Sequence, residues 1–157
     1  MRNRVSIVLL SLVLIAADSM SAAGTPAEGF VEVPADRVPW QARPSMPGTE
    51  IAILLGEANK PGPLVVRVRM PPNQRVQPHT HPDARTYTVL DGEWQLGFGD
   101  EFDPANLRRY KAGSLYRLPA RVPHFQAAGP AGAVVQIESI GPTSTDFIEP
   151  ADAKRPR

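Results

Sequence analysis

His79 and His81 stand one residue apart, just ahead of a β-branched and aromatic run at residues 86–90. In an extended strand, side chains at i and i+2 share a face, so both imidazoles can aim at one point. The third histidine of the chain, His124, follows a second strand-like segment punctuated by Gly and Pro. The chain has 3 histidines and no cysteine, so no histidine is left for ordinary surface duty. A metal held there would have nitrogen and oxygen ligands only. That points away from zinc-finger and iron–sulfur chemistry.

The elements that must position these residues read as short strands. Residues 50–55 and 64–70 are apolar runs with partial alternation, separated by an Asn-Lys-Pro-Gly turn. Asp91-Gly92 after residues 86–90 is a hairpin-turn signal, and residues 93–99 then alternate with Trp94, Leu96 and Phe98 on one face. Further strands are expected at 115–118, 124–126 and 133–137. Residues 103–109 form the one expected helix, short and on the surface, with Asp103 at its N-cap and Pro104 at its first position. The 18 prolines and 12 glycines fall between almost every pair of strands. Such spacing predicts an all-β, single-domain sandwich or barrel.

The ends differ from the middle. A basic start with Arg2 and Arg4 precedes an apolar run over residues 5–17, and Ser21-Ala22-Ala23 follows. The run is shorter than the ~20 residues that span a bilayer, and the layout is that of a secretory signal peptide. The expected organisation is a signal peptide at 1–23 and a Pro/Ala-rich arm at 24–49. A β-barrel at 50–148 and a flexible tail at 149–157 complete it. Trp40 is expected to pack back on the domain, and residues 30–33 to form a brief edge strand. Removal of the signal leaves 15 basic and 15 acidic residues, so neither a nucleic-acid stripe nor an acidic tail is expected. The mature chain is expected in the periplasm or outside the cell, without stable membrane insertion. It is expected to be a homodimer paired through residues 51–55 or 30–33.

The two histidine segments, read together, carry a family resemblance. His79-x-His81, then Gly92, then Gly113, Pro119 and His124 follow the order and spacing of the two motifs of the cupin superfamily. The resemblance covers roughly residues 60–142. It implies a small antiparallel β-barrel of the jelly-roll type, with His79, His81 and His124 as metal ligands. The cupin pattern also has a glutamate ligand four residues after the second histidine, where this chain has Arg85. Its glycines ahead of the first motif and inside the second are Asn73 and Arg121 here, and its closing asparagine is Ala128.

Arg85 cannot ligate a cation, because a guanidinium has donors and no acceptor. The expected set is therefore three histidines and water around one divalent transition metal ion, with Fe(II) favoured over Mn, Ni or Zn. Cupins with three-histidine iron sites, such as cysteine dioxygenase and acetylacetone dioxygenase, make a dioxygenase-like enzyme the first expectation. Its substrate would be a small anionic organic molecule. The alternatives are a non-catalytic metal or small-molecule binding or sensing protein, and a metal-dependent isomerase or lyase. Arg85, Tyr87 and Gln136 are the candidate substrate-binding residues; Arg85 could instead form a structural ion pair with Asp83 or Glu138. Tyr87, Glu138 and Glu93 are the candidates for acid–base work.

Overall fold

A computed structural model of the chain describes residues 27–148. The expected signal peptide and the expected C-terminal tail lie outside these residues. Residues 27–30 belong to an N-terminal unit and close a turn through Phe30 N–H to Ala27 O at 3.0 Å. A second unit begins at Val31 and holds the strands found among the described residues and the three histidines.

Among the described residues are nine strands, all paired antiparallel: β1 (Gln41–Ala42), β2 (Glu50–Leu55), β3 (Gly62–Met70), β4 (Arg75–Thr80), β5 (Arg85–Phe98), β6 (Arg108–Lys111), β7 (Leu115–Leu118), β8 (His124–Gly141) and β9 (Asp146–Phe147). β8 is the hub of a curled sheet. Its C-terminal half pairs with β3, its N-terminal half pairs with β4, and β5 runs along its other edge over most of its length. β6 and β7 pair with the far edge of β5. The all-β class is as the turn spacing predicts. The core gathers Val68, Met70, Tyr87, Val89, Trp94, Leu118, Ala128, Ala133 and Val135.

Four local expectations are corrected. Asp91-Gly92 does not end a strand: β5 continues through it for 14 residues. The register shifts there twice, between Val89 and Asp91 and between Gly92 and Trp94, so the dipeptide bends one long strand. Gly92 has φ 69°, and a Cβ on it would lie 2.2 Å from the carbonyl oxygen of Gly132 on β8. Only glycine fits that approach. β8 likewise merges the two strands expected at 124–126 and 133–137 into one of 18 residues.

The helix expected at 103–109 is a single 3-10 turn at Pro104–Asn106. Asp103 caps it, accepting from Ala105 N–H at 2.9 Å and from the Asn106 amide at 2.6 Å. Arg108–Lys111 are drawn into β6 instead, because the edge of β5 offers them backbone partners from Leu96 to Glu93. Residues 31–33 carry no strand. Trp40 packs on the domain, with the Arg69 guanidinium 4.1 Å above its ring.

Asn73 and Arg121 are the two non-glycine residues with positive φ among the described residues, at 58° and 61°. They stand where the cupin pattern has glycines. The backbone keeps its left-handed turns; asparagine tolerates that region, and Arg121 carries a strain of about 1–2 kcal/mol. The Arg121 turn bears on the histidines, since its N–H donates to His81 O at 2.8 Å. Arg121→Gly is expected to raise the melting temperature by a few degrees, whereas Arg121→Ala, with a Cβ still present, is not. Thermal unfolding of the two variants checks this, and a loss with glycine would contradict the turn geometry.

Candidate metal centre

β4 and β8 place the first pair of histidines. His79 and His124 are directly opposed across the two strands, and their ring centroids are 4.2 Å apart. His81 lies just past the end of β4, two residues on and so on the same face. Its centroid lies 4.8 Å from that of His79 and 5.2 Å from that of His124. All three are buried, at 2%, 4% and 0% exposure.

Each ring is oriented by its Nδ1–H. His79 donates to Gln77 O at 2.6 Å, His124 to Val122 O at 2.9 Å, and His81 to Ser144 O at 2.7 Å. A carbonyl can only accept, so Nδ1 carries the proton in every case and Nε2 keeps its lone pair. One potential ligand atom from each ring lies within 4.8 Å of the others. Two donors on one ion at ~2.1 Å are at most about 4.2 Å apart, so slight closure would bring the set to ligand geometry. Nε2 of His124 is buried and has no hydrogen-bond partner. An orphaned lone pair in that position fits a cation. The donor set suits one divalent transition metal ion.

The protonation states agree. Burial, reinforced by the neighbouring imidazoles, lowers the His79 pKa well below its usual value. Burial and then the Arg85 guanidinium lower that of His81 to about 3. Burial also lowers that of His124. All three rings are therefore neutral near pH 7, as ligation requires.

Arg85 opens β5 and is turned inward, 9% exposed. Its expected ion pair with Asp83 is present. Its Nε and Nη2 donate to the two Asp83 oxygens at 2.9 and 3.3 Å, and Nη2 also donates to Thr143 Oγ1 and to Ser144 O. Its Nη1 donates to His81 Nε2 at 3.1 Å. Asp83 also accepts from the Thr143 hydroxyl. Burial works to raise the Asp83 pKa, but the hydrogen bonds from Arg85 and Thr143 outweigh it and hold the carboxylate ionised. Thr143 and Ser144 thus brace His81 and Arg85 together.

Tyr87 shares the Arg85 face and borders the same cavity of about 50 Å³ beside His79 and His81. It also belongs to the core, stacked on Tyr116 at 4.7 Å, and burial raises its pKa. Gln136 is not in the cavity. Along β8, Val135, Ile137 and Ser139 point inward, which sends Gln136 and Glu138 outward. There Gln136 accepts from Arg67 at 3.0 Å and donates to Glu138 at 2.9 Å. Glu93 is bonded by Gln95 at 2.7 Å and does not border the cavity.

Three cavity residues, Arg43, Met46 and Thr49, lie in the arm that sequence reasoning sets apart from the barrel. Arg43 and Thr49 line the same cavity, on a loop closed by Arg43 N–H to Thr49 O at 2.9 Å. Nothing in the Pro-rich composition of residues 24–48 marks them. The pairing of Gln41 and Ala42 with β2 brings them in.

Comparison with known proteins fits this geometry. The ChrR Cupin-like domain model matches residues 29–138, and no curated protein matches. Among solved structures, the polyketide cyclase RemF from Streptomyces resistomycificus is similar with a TM-score of 0.62 at 17% identity, over 76% of this chain and 86% of that one. A salicylate 1,2-dioxygenase variant from Pseudoaminobacter salicylatoxidans, in complex with gentisate, gives 0.54 at 14%, over 65% and 30%. A chain of the Rhodobacter sphaeroides SigE complex with the anti-sigma ChrR gives 0.51 at 19%, over 68% and 51%. At these identities the structures share the fold alone. The family model spans more than two thirds of the sequence and includes all three histidines, and the chain belongs to the ChrR cupin-like family of the cupin superfamily.

Proposed function

We propose that this cupin holds one divalent transition metal ion on His79, His81 and His124 and acts on a small anionic organic molecule, in dioxygenase-like chemistry when the ion is Fe(II). The supporting observation is the convergence of three neutral imidazoles, each with Nδ1–H fixed by a carbonyl. A divalent ion bound by neutral ligands keeps its full charge and open positions, and supplies Lewis acidity or, as Fe(II), O₂ activation. The chain's own residues do the rest. Arg85 offers a cationic donor beside the histidines, Tyr87 offers a neutral hydroxyl, and the cavity beside them has room for only a few water-sized groups.

An isomerase or lyase needs a base at the site. Of the acid–base candidates, Glu93 and Glu138 are turned elsewhere and Tyr87 is held neutral by burial, which weighs against that reading. The same facts leave a non-catalytic binding or sensing role as the second reading, since it needs no base. Export, and a homodimer paired through residues 51–55 or 30–33, belong to the same proposal.

Elemental analysis of the purified full chain tests the centre. One metal per chain is expected, lost in His124→Ala with the β-rich circular dichroism retained. Failure of the parent to take any divalent metal would reject the proposal. Oxygen consumption by iron-loaded protein with an added carboxylate separates the enzyme from the binding protein.

A further inference from the structure

Arg43 and Thr49 carry polar groups that the fold does not satisfy. Thr49 is 1% exposed, its Oγ1 has no hydrogen-bond partner, and it lines the cavity beside His79 and His81. A buried hydroxyl left unpaired costs about 1–3 kcal/mol. Arg43 is half-buried and lines the same cavity, and none of the ion pairs among the described residues includes it. Burial first, and the Arg85 guanidinium second, lower the Arg43 pKa. Two guanidinium groups thus border one cavity, and Asp83 neutralises only Arg85. Local charge and local hydrogen bonding both lack an anion with acceptor oxygens.

An adjoining cleft of about 230 Å³ indicates what the anion is attached to. It shares Arg43, Arg85, Val68, Ile137 and Thr145 with the smaller cavity and extends along Ile51, Ile53, Leu64 and Val66. Its walls are mainly aliphatic; of its polar groups, Thr143 and Ser144 bond Arg85, which in turn bonds His81, whereas Ser139 lies opposite Leu64. A volume below the ~300 Å³ usual for small-molecule sites limits the occupant to a short molecule.

We propose that Arg43, Thr49 and Arg85 seat the carboxylate of a small monocarboxylate whose apolar tail lies against Ile51, Ile53, Leu64 and Val66. This names the substrate class of the metal centre and rests on that reading for the end of the ligand that faces the ion. Arg43 is the principal counter-charge, because Arg85 already spends most of its donors on Asp83, Thr143 and Ser144. The Thr49 hydroxyl donates to a carboxylate oxygen. A neutral amide of the same shape keeps the tail contact and lacks the charge.

Calorimetric titration of the full-length, zinc-loaded protein with isovalerate and with isovaleramide tests the assignment. Isovalerate is expected to bind saturably, and isovaleramide at least tenfold more weakly. Arg43→Gln should weaken isovalerate at least tenfold. Thr49→Val should weaken it severalfold while raising the melting temperature of the ligand-free protein, because it removes an unsatisfied buried hydroxyl without changing shape. Equal binding of acid and amide, parent-like isovalerate binding by Arg43→Gln, or no saturable isovalerate binding would each overturn the proposal. Metal content is read in parallel. A parent that takes no metal but binds isovalerate through Arg43 rejects the metal centre and keeps the carboxylate seat. A parent that takes metal and no carboxylate does the reverse.

Discussion

Metal-free protein is expected to lose stability as the pH falls from 7 to 5, and an excess of a divalent metal to restore most of it. The sign comes from the three histidines. Each has a pKa in the folded chain below its ordinary value of about 6.5. Below that value the unfolded chain binds more protons than the folded one, so stability falls with pH. For His81, lowered to about 3, the loss between pH 7 and 5 is about 2 kcal/mol. His79 and His124 shift in the same direction and steepen the slope. A domain of this size has only about 5–15 kcal/mol in total, so the effect is large. Asp83, with a lowered pKa, acts in the same sense, but the stability it contributes is lost only at more acid pH, outside this window. Metal at a hundredfold excess over its dissociation constant returns about 2.7 kcal/mol. Urea unfolding at a series of pH values, with and without metal, measures both effects. His81→Asn should flatten the metal-free slope by about one proton. A parent whose stability is flat from pH 7 to 5 contradicts the buried neutral cluster.

The ligands are legible in the chain because two local rules and one long-range pairing agree. His79 and His81 share a face through the two-residue period of an extended chain. The Gly113, Pro119 and His124 spacing carries the resemblance to the second cupin motif, which marks His124 as the third ligand without showing what lies opposite. Gln136 reads as a cavity residue because a period-2 pattern gives two faces without saying which is inward. Val135 and Ile137, apolar on both sides of it, are the available signal that the odd-numbered residues in the C-terminal half of β8 face the core. The Asp91-Gly92 bend reads as a hairpin for a different reason. Glycine at positive φ serves a tight turn and a strand corner equally, and only the contact with Gly132, forty residues away, decides between them.

Arg43 and Thr49 are invisible in the sequence for a third reason. Their role depends on a two-residue strand, β1, whose pairing with β2 folds a Pro-rich segment over the cavity mouth. No periodicity exists over two residues, and proline argues for a loop without saying where the loop goes. Arg85 lies between these cases. Its offset from His81 marks it as the residue in the missing ligand's place, and Asp83 is close enough in sequence to be an expected partner. What the chain cannot reveal is that the ion pair and the contact with His81 coexist, because that depends on Thr143 and Ser144 returning from beyond β8.

Substituting Arg85 is expected to change metal and anion affinity in opposite directions. Its Nη1–H occupies the His81 Nε2 lone pair that an ion would use, so metal and guanidinium compete for one atom. The ion also meets a like charge. At an effective dielectric near 20, a double charge ~7 Å from a guanidinium is repelled by about 5 kcal/mol before screening, and Asp83 offsets only part of that. Arg85→Glu removes both obstacles and returns a carboxylate to the place where the cupin pattern has its fourth ligand. Metal affinity should rise at least tenfold. Binding of isovalerate should be lost, because the new charge faces its carboxylate. Truncation alone would leave Asp83 buried without its partner, a cost of about 3–5 kcal/mol. The informative neutral variant is therefore Arg85→Met combined with Asp83→Asn. It should keep the metal at parent affinity or better and bind isovalerate more weakly than the parent. Metal titrations and carboxylate titrations on the same three proteins give the comparison. Metal and isovalerate affinities indistinguishable from the parent in both variants would make Arg85 a structural residue of the barrel mouth and leave Arg43 as the sole counter-charge. Metal affinity that falls in Arg85→Glu would mean that position 85 cannot reach the ion, and that the three histidines hold it with water alone.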